Sequence, residues 1–137
     1  MVDNILVRNQ SATSLMGFLQ DNDFIVDRVT DSVIQISRFE ELPIFIHTKG
    51  NSLYFEVDLG SISEMASEKL YFDLLDLNTE ILPVSVGIDR ADNRDPKLVL
   101  VESREIQNLD ENELLSVFNA LELATDKVES ILSAHLK

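Results

Sequence analysis

His47 and His135 are the only imidazoles in this 137-residue chain, and the absence of cysteine removes disulfide, thiolate and zinc–cysteine chemistry. Catalytic and metal-binding histidines need a second ligand or base within reach, commonly at i, i+4 on one helix. His47 falls in a strand-like stretch and His135 near the end of a helix-like one. Neither has such a neighbour, and His135 is placed to complement the negative end of its helix. The segment IDRADNRDP gathers Asp89, Asp92, Asn93 and Asp95, oxygen donors of the kind calcium takes. The D-x-[DN]-x-[DN]-G spacing and the distal glutamate are missing, however, and the segment reads as a solvated turn. Glu40 with Glu41, and Glu102 with Glu105, are paired carboxylates of the type acid–base catalysis uses. In a chain with 25 acidic residues such pairs arise by chance. No G-x-S-x-G, P-loop, G-x-G-x-x-G or H-E-x-x-H occurs, and four glycines leave little material for a phosphate-cradling loop. The expectation is a non-catalytic protein with no metal ligand and no cofactor.

The informative residues are apolar. At about 100° per residue, the stretch Ser61 to Leu82 reads as a central helix in which Ile62, Ala66, Leu70, Leu74, Leu77 and Ile81 share one stripe. Tyr71, Phe72, Leu75 and Leu82 form a second set roughly opposite, and only Lys69, Asp73, Asp76 and Glu80 are left for water. A surface helix needs one such stripe. The first is expected to pack on a sheet. The second must meet either the terminal helix of the same chain or a second copy across a two-fold axis, and Tyr71, Phe72 and Leu75 are the candidate interface residues.

The elements around this helix follow from local signals. Leu15, Phe18 and Leu19 at i, i+3 and i+4 predict a short first helix, with Ser11 or Ser14 as its cap. Two β-branched runs, FIVDRV and SVIQISRF, meet at Thr30 and Asp31. Ile44 to Thr48 and Leu53 to Leu59 then form a hairpin around Lys49-Gly50-Asn51-Ser52, with positive φ expected at Gly50 and Asn51. Ser61 and Glu64 make a capping-box pattern for the central helix, and Pro83 bars its continuation, so its end is expected between Asn78 and Ile81. PVSVGID and KLVLVES are two further strands. Asp110 and Glu113, with Leu109 and Leu114 as a hydrophobic staple, open a long terminal helix whose buried face runs through Val117, Phe118, Leu121, Ala124, Val128, Ile131 and Leu132. The order is helix, strands, helix, two strands, helix, which predicts an α+β domain with an antiparallel sheet and helices packed on it. No linker divides the chain, and residues 1–137 read as a single domain.

Composition narrows the partners. A hydrophobic fraction of 45% supports a packed core despite a formal net charge of −14. That charge repels nucleic acid and anionic membrane surfaces, and no locally basic patch offsets it. No run approaches the roughly 18 apolar residues of a membrane span, and the start MVDNILVRNQ is unlike a secretory signal. A cytoplasmic protein is expected.

This layout, with LLDLN in the central helix, VSVGID and KLVLVES as paired strands and LDENELLSVFNAL opening the last helix, resembles bacterial type III secretion chaperones and the similarly folded YbjN-like proteins. The stretch ILPVSVGI is more faintly similar to uncharacterised YjfI-type bacterial proteins. The resemblance covers most of the chain from Ser11 onward. It implies a homodimer joined largely through the central helix, with Tyr71, Phe72 and Leu75 at the contact, no ATP or metal, and apolar patches and strand edges offered to an extended protein partner. The sequence thus points to a chaperone-like binding module that takes an unidentified partner by β-augmentation and apolar pockets. The alternative is an acidic inhibitor or immunity-type protein steered onto a basic target.

Overall fold

The structure is a computed structural model and describes residues 2–8, 13–90 and 95–136. The expected cap at Ser11 and the loop residues Asp92 and Asn93 lie outside the described residues. A short 3₁₀ turn, Val2–Asn4, leads into β1 (Leu6–Val7), which pairs antiparallel with β2 (Thr13–Ser14). The first helix, α1, is Leu15–Asp21, and Ser14 caps it by accepting a hydrogen bond from the Gly17 N–H. Leu15, Phe18 and Leu19 are buried as their spacing predicts.

Two hairpins follow. β3 (Ile25–Thr30) pairs with β4 (Val33–Ser37), and β5 (Ile44–Lys49) with β6 (Ser52–Ser61). The β5–β6 turn takes positive φ at Gly50 alone, at 55°, and not at Asn51. A two-residue II′ turn needs only its first central residue there. After the second helix, α2 (Glu68–Leu77), come β7 (Ser85–Asp89), β8 (Lys97–Glu105) and the long α3 (Glu111–His135). The strands from β3 onward form one six-stranded antiparallel sheet in the order β3-β4-β5-β6-β8-β7. β8 therefore lies inside the sheet, and Leu98, Val99 and Leu100 are all buried, as a continuous apolar run in an interior strand should be.

One face of the sheet supplies the core. Ile34, Ile36, Ile44, Ile46, Leu53, Phe55, Val57, Leu98 and Leu100 point to it from four adjacent strands. α3 packs on this face: Phe118 meets Phe55 edge-on with ring centroids 6.1 Å apart and lies 4.9 Å from Phe24. Its N-terminus is built as expected, with the Asp110 side chain accepting from the Glu113 N–H at 2.8 Å and Leu109 and Leu114 both buried. Its opening turn is further clamped by the N-terminal segment, since the Arg8 N–H donates to the Leu109 carbonyl at 2.7 Å and the Glu111 N–H to the Arg8 carbonyl at 3.1 Å.

The central helix departs from its expected bounds. It starts at Glu68, not after Ser61, and it is Ser67 that caps it, accepting from the Leu70 N–H at 3.1 Å. Ser61 is the last residue of β6, paired with Lys97, so its backbone belongs to the sheet. Ile62 is buried without being helical, and Ala66 is exposed. The helix ends at Leu77 with Asn78 as C-cap, at the near limit of the expected range.

Candidate functional site

Within the shorter α2, the buried positions are Leu70, Leu74 and Leu77, spaced i, i+4 and i+7 on one face. Tyr71, Phe72 and Leu75 fall on the other and stay exposed, at 36%, 67% and 68% of their surface. Leu82, fourth of that set, lies beyond the helix and is also exposed. The terminal helix does pack against α2, but at its edge. There the His135 imidazole Nε2 lies 2.8 Å from Asp73 Oδ2, while Lys69 donates to Asp73 Oδ1 at 2.7 Å. These contacts, Lys69 first, hold the Asp73 carboxyl below its usual pKa. Of the two covers the sequence left open, the terminal helix is therefore excluded for Phe72 and Leu75 within one chain.

The exposed face continues onto the sheet. The Val86 N–H donates to Asn78 Oδ1 at 2.6 Å, which seats β7 beside the C-terminal end of α2. Between them runs an apolar groove of about 310 Å³, lined by Tyr71, Leu74, Leu75, Val86, Ile88 and Leu98 among others. β7 is an edge strand, and among the described residues no further strand pairs with its outer side. The stretch PVSVGID was expected to be a strand, and β7 carries Val86 and Ile88. Their place in the groove was not legible, because it depends on β7 pairing outside β8.

The opposite edge is β3, whose burial is low along its whole length; Ile25 and Val29 are 66% and 53% exposed. An exposed edge strand bearing apolar side chains is a template for an added strand. The sequence reading named the strand but did not mark its edge.

The residues that suggested chemistry are dispersed. His47 lies on the sheet face away from the core, its Nε2 3.9 Å from Glu56 Oε2, whereas His135 is at the end of α3. Burial raises the Glu56 carboxyl, partly offset by His47. Glu41 pairs with Arg38 at 3.2 Å, and Glu40 takes a left-handed backbone with a φ of 65°. Glu102 and Glu105 are an odd number of residues apart on β8 and so face opposite sides of the sheet. Glu102 is buried and contacts Arg104 Nη2 at 2.6 Å; burial raises its pKa against the pull of that guanidinium. Asp89 and Asp95 flank the undescribed part of their loop. Among the described residues no three histidine or acidic side chains converge to hold a metal ion, and no helix is long and apolar enough to cross a membrane.

Known structures share this architecture. A chain of the heterodimeric ExoU–SpcU complex from the type III secretion system of Pseudomonas aeruginosa aligns with a TM-score of 0.69 at 17% identity, covering 85% of this chain and 96% of that one. YbjN from E. coli aligns at 0.61 and 14% identity, covering 93% and 95%. An uncharacterised protein from Methanothermobacter thermautotrophicus aligns at 0.58 and 14%, covering 88% and 96%. At these identities the likeness is one of fold. No curated protein matches the chain. Residues 8–136 match the family model CesT_Tir_1, and the chain therefore belongs to this family of type III secretion chaperones.

Proposed function

We propose that the protein is a non-catalytic secretion chaperone that works as a homodimer in the cytoplasm and holds a protein partner in extended form. The observation that carries this reading is the continuous apolar surface of Tyr71, Phe72, Leu75 and the groove against β7, which none of the described residues covers. Exposed apolar clusters of this kind mark interfaces. A two-fold axis beside α2 buries the same residues from both copies and protects the β7 edge, while β3 stays free at the far side of each sheet. An extended partner segment adds there, its main chain hydrogen-bonding to β3 and its side chains resting near Ile25 and Val29. Family membership and the heterodimer in which the structurally similar chain occurs support a protein as the partner.

Sedimentation at micromolar concentration is the direct test. The unmodified protein is expected at twice the 15.5 kDa of one chain. Leu75→Glu, which brings two like charges together near the axis, should give a folded monomer. A single 15.5 kDa species for the unmodified protein overturns the dimer. A Leu75→Glu variant that remains dimeric moves the interface away from α2. Capture from a native cell extract should retain a partner on the unmodified protein and lose it when Val29 is replaced by Pro, which removes a donor and bends the strand.

A further inference from the structure

On α3, Glu122, Asp126 and Glu129 recur at i, i+4 and i+7, so their carboxylates share one stripe beside the buried Leu121, Ala124 and Val128. No basic residue stands three or four positions from any of them. Like charges at that spacing weaken a helix, so the arrangement does not serve the stability of α3. The stripe faces the β4–β5 loop, residues 38–43, and the two enclose a cleft of about 140 Å³ whose wall includes Glu40, Glu41 and Leu42. Its floor is apolar: Ile44, Val57, Phe118 and Leu121 are all buried. Arg38 neutralises Glu41, while the other four carboxylates make no ion pair among the described residues. In the same loop Phe39 is 90% exposed, and Leu42, which lines the cleft, 40%.

We infer that this cleft takes an arginine of the partner protein, carried on an amphipathic segment whose apolar residues lie on Phe39 and Leu42. Size and charge select this occupant. The cleft is smaller than the roughly 300 Å³ or more of an ordinary small-molecule site, which suits a single side chain better than a whole small molecule. An aliphatic stem suits the apolar floor and a charged head the rim, the division that arginine and lysine side chains make. Several carboxylates on one rim favour the planar fork of a guanidinium over the point charge of an ammonium. A metal ion is not the occupant, since no three of these groups converge on one point. The inference rests on the partner-binding reading above and adds to it the chemistry of the partner: a basic, amphipathic segment docked between α3 and the β4–β5 loop.

The test uses a labelled helical peptide with arginine on one face and leucine on the other, and two controls, one with citrulline for arginine and one with serine for leucine. Binding is read by fluorescence anisotropy at physiological salt and located by amide chemical-shift changes. The triple variant E122Q/D126N/E129Q should lose about tenfold in affinity, because a charge-assisted ion pair and the attraction of the neighbouring carboxylates are removed together. The remote triple D31N/E64Q/E105Q should lose less than about twofold, because salt screens distant surface charge. Both control peptides should bind more weakly than the parent. Equal losses in the two triples, unchanged binding in the cleft triple, no binding at all, or shifts centred on the α2–β7 groove would each overturn the inference. Sedimentation reads the assembly independently: a dimer that ignores the peptide sinks the cleft proposal and leaves the chaperone reading standing, and a monomer that binds it does the reverse.

Discussion

Leu74 and Leu75 are neighbours on one helix, with 4% and 68% of their surfaces exposed, and truncating each in turn separates core from interface. Leu74→Ala removes three carbons, worth about 2.4 kcal/mol at about 0.8 kcal/mol per methylene. A residual cavity adds to that, and buried Leu→Ala changes span about 2 to 5 kcal/mol. Leu74 also lines the groove against β7, so neighbouring side chains and water can fill part of the space. The expected loss is therefore in the lower part of that range, about 2 to 3 kcal/mol. Leu75→Ala removes the same carbons from an exposed site and gains slightly in helix propensity, so the monomer should change by less than about 0.5 kcal/mol. Urea unfolding at several protein concentrations distinguishes the two. The Leu74 loss should persist at the lowest concentration, whereas any Leu75 loss should appear only where dimers form. A Leu74→Ala loss below about 1 kcal/mol, or equal losses for both variants at every concentration, would refute the assignment of helix faces.

Burial raises the Glu102 carboxyl above the usual glutamate value of 4.5, so the folded state holds the proton more tightly than the unfolded one. The resulting stability is complete below the unfolded value and is lost as pH rises through the folded one. Glu102→Gln should accordingly gain on the unmodified protein as pH climbs from about 4 toward neutrality, the usual carboxylate range, and unfolding curves taken across that interval check it. Asp73 has the opposite sign: its lowered pKa, set first by Lys69 and then by His135, gives stability above the usual 3.8 that disappears as pH falls. Asp73→Asn should speed amide exchange over residues 131–136 at neutral pH without greatly changing global stability, and unchanged exchange there would show that His135 does not anchor the end of α3.

What was legible in the chain is what neighbouring residues decide. Asp110 and Glu113 mark the start of α3 because the cap and its partner are three residues apart. Gly50 marks a turn because a two-residue loop demands positive φ there. Ser61 with Glu64 carries the same kind of local signal and is overruled. Gly60 and Ser61 pair with Leu98 and Lys97, and that distant pairing keeps the backbone extended past the apparent cap. The insertion of β8 between β6 and β7 is equally nonlocal. The doubled apolar face of α2 was visible from periodicity, but which half is covered depends on where α3 crosses it. The acidic stripe of Glu122, Asp126 and Glu129 was present in the sequence as a spacing; only the β4–β5 loop standing opposite makes it the wall of a cleft.

The interior position of β8 also bears on how the chain comes off the ribosome. β6 emerges well before the strand that flanks it, and until Lys97–Glu105 has been synthesised its outer side is an unpaired ribbon ten residues long carrying Leu53, Phe55 and Val57. A hairpin of β5 and β6 forms early, but the sheet cannot knit across to β7, because β7 touches only β8. Closure of the sheet is thus a late, long-range event, which slows folding and leaves a sticky edge in the nascent polypeptide. Shortening that interval calls for rapid translation of residues 62–105.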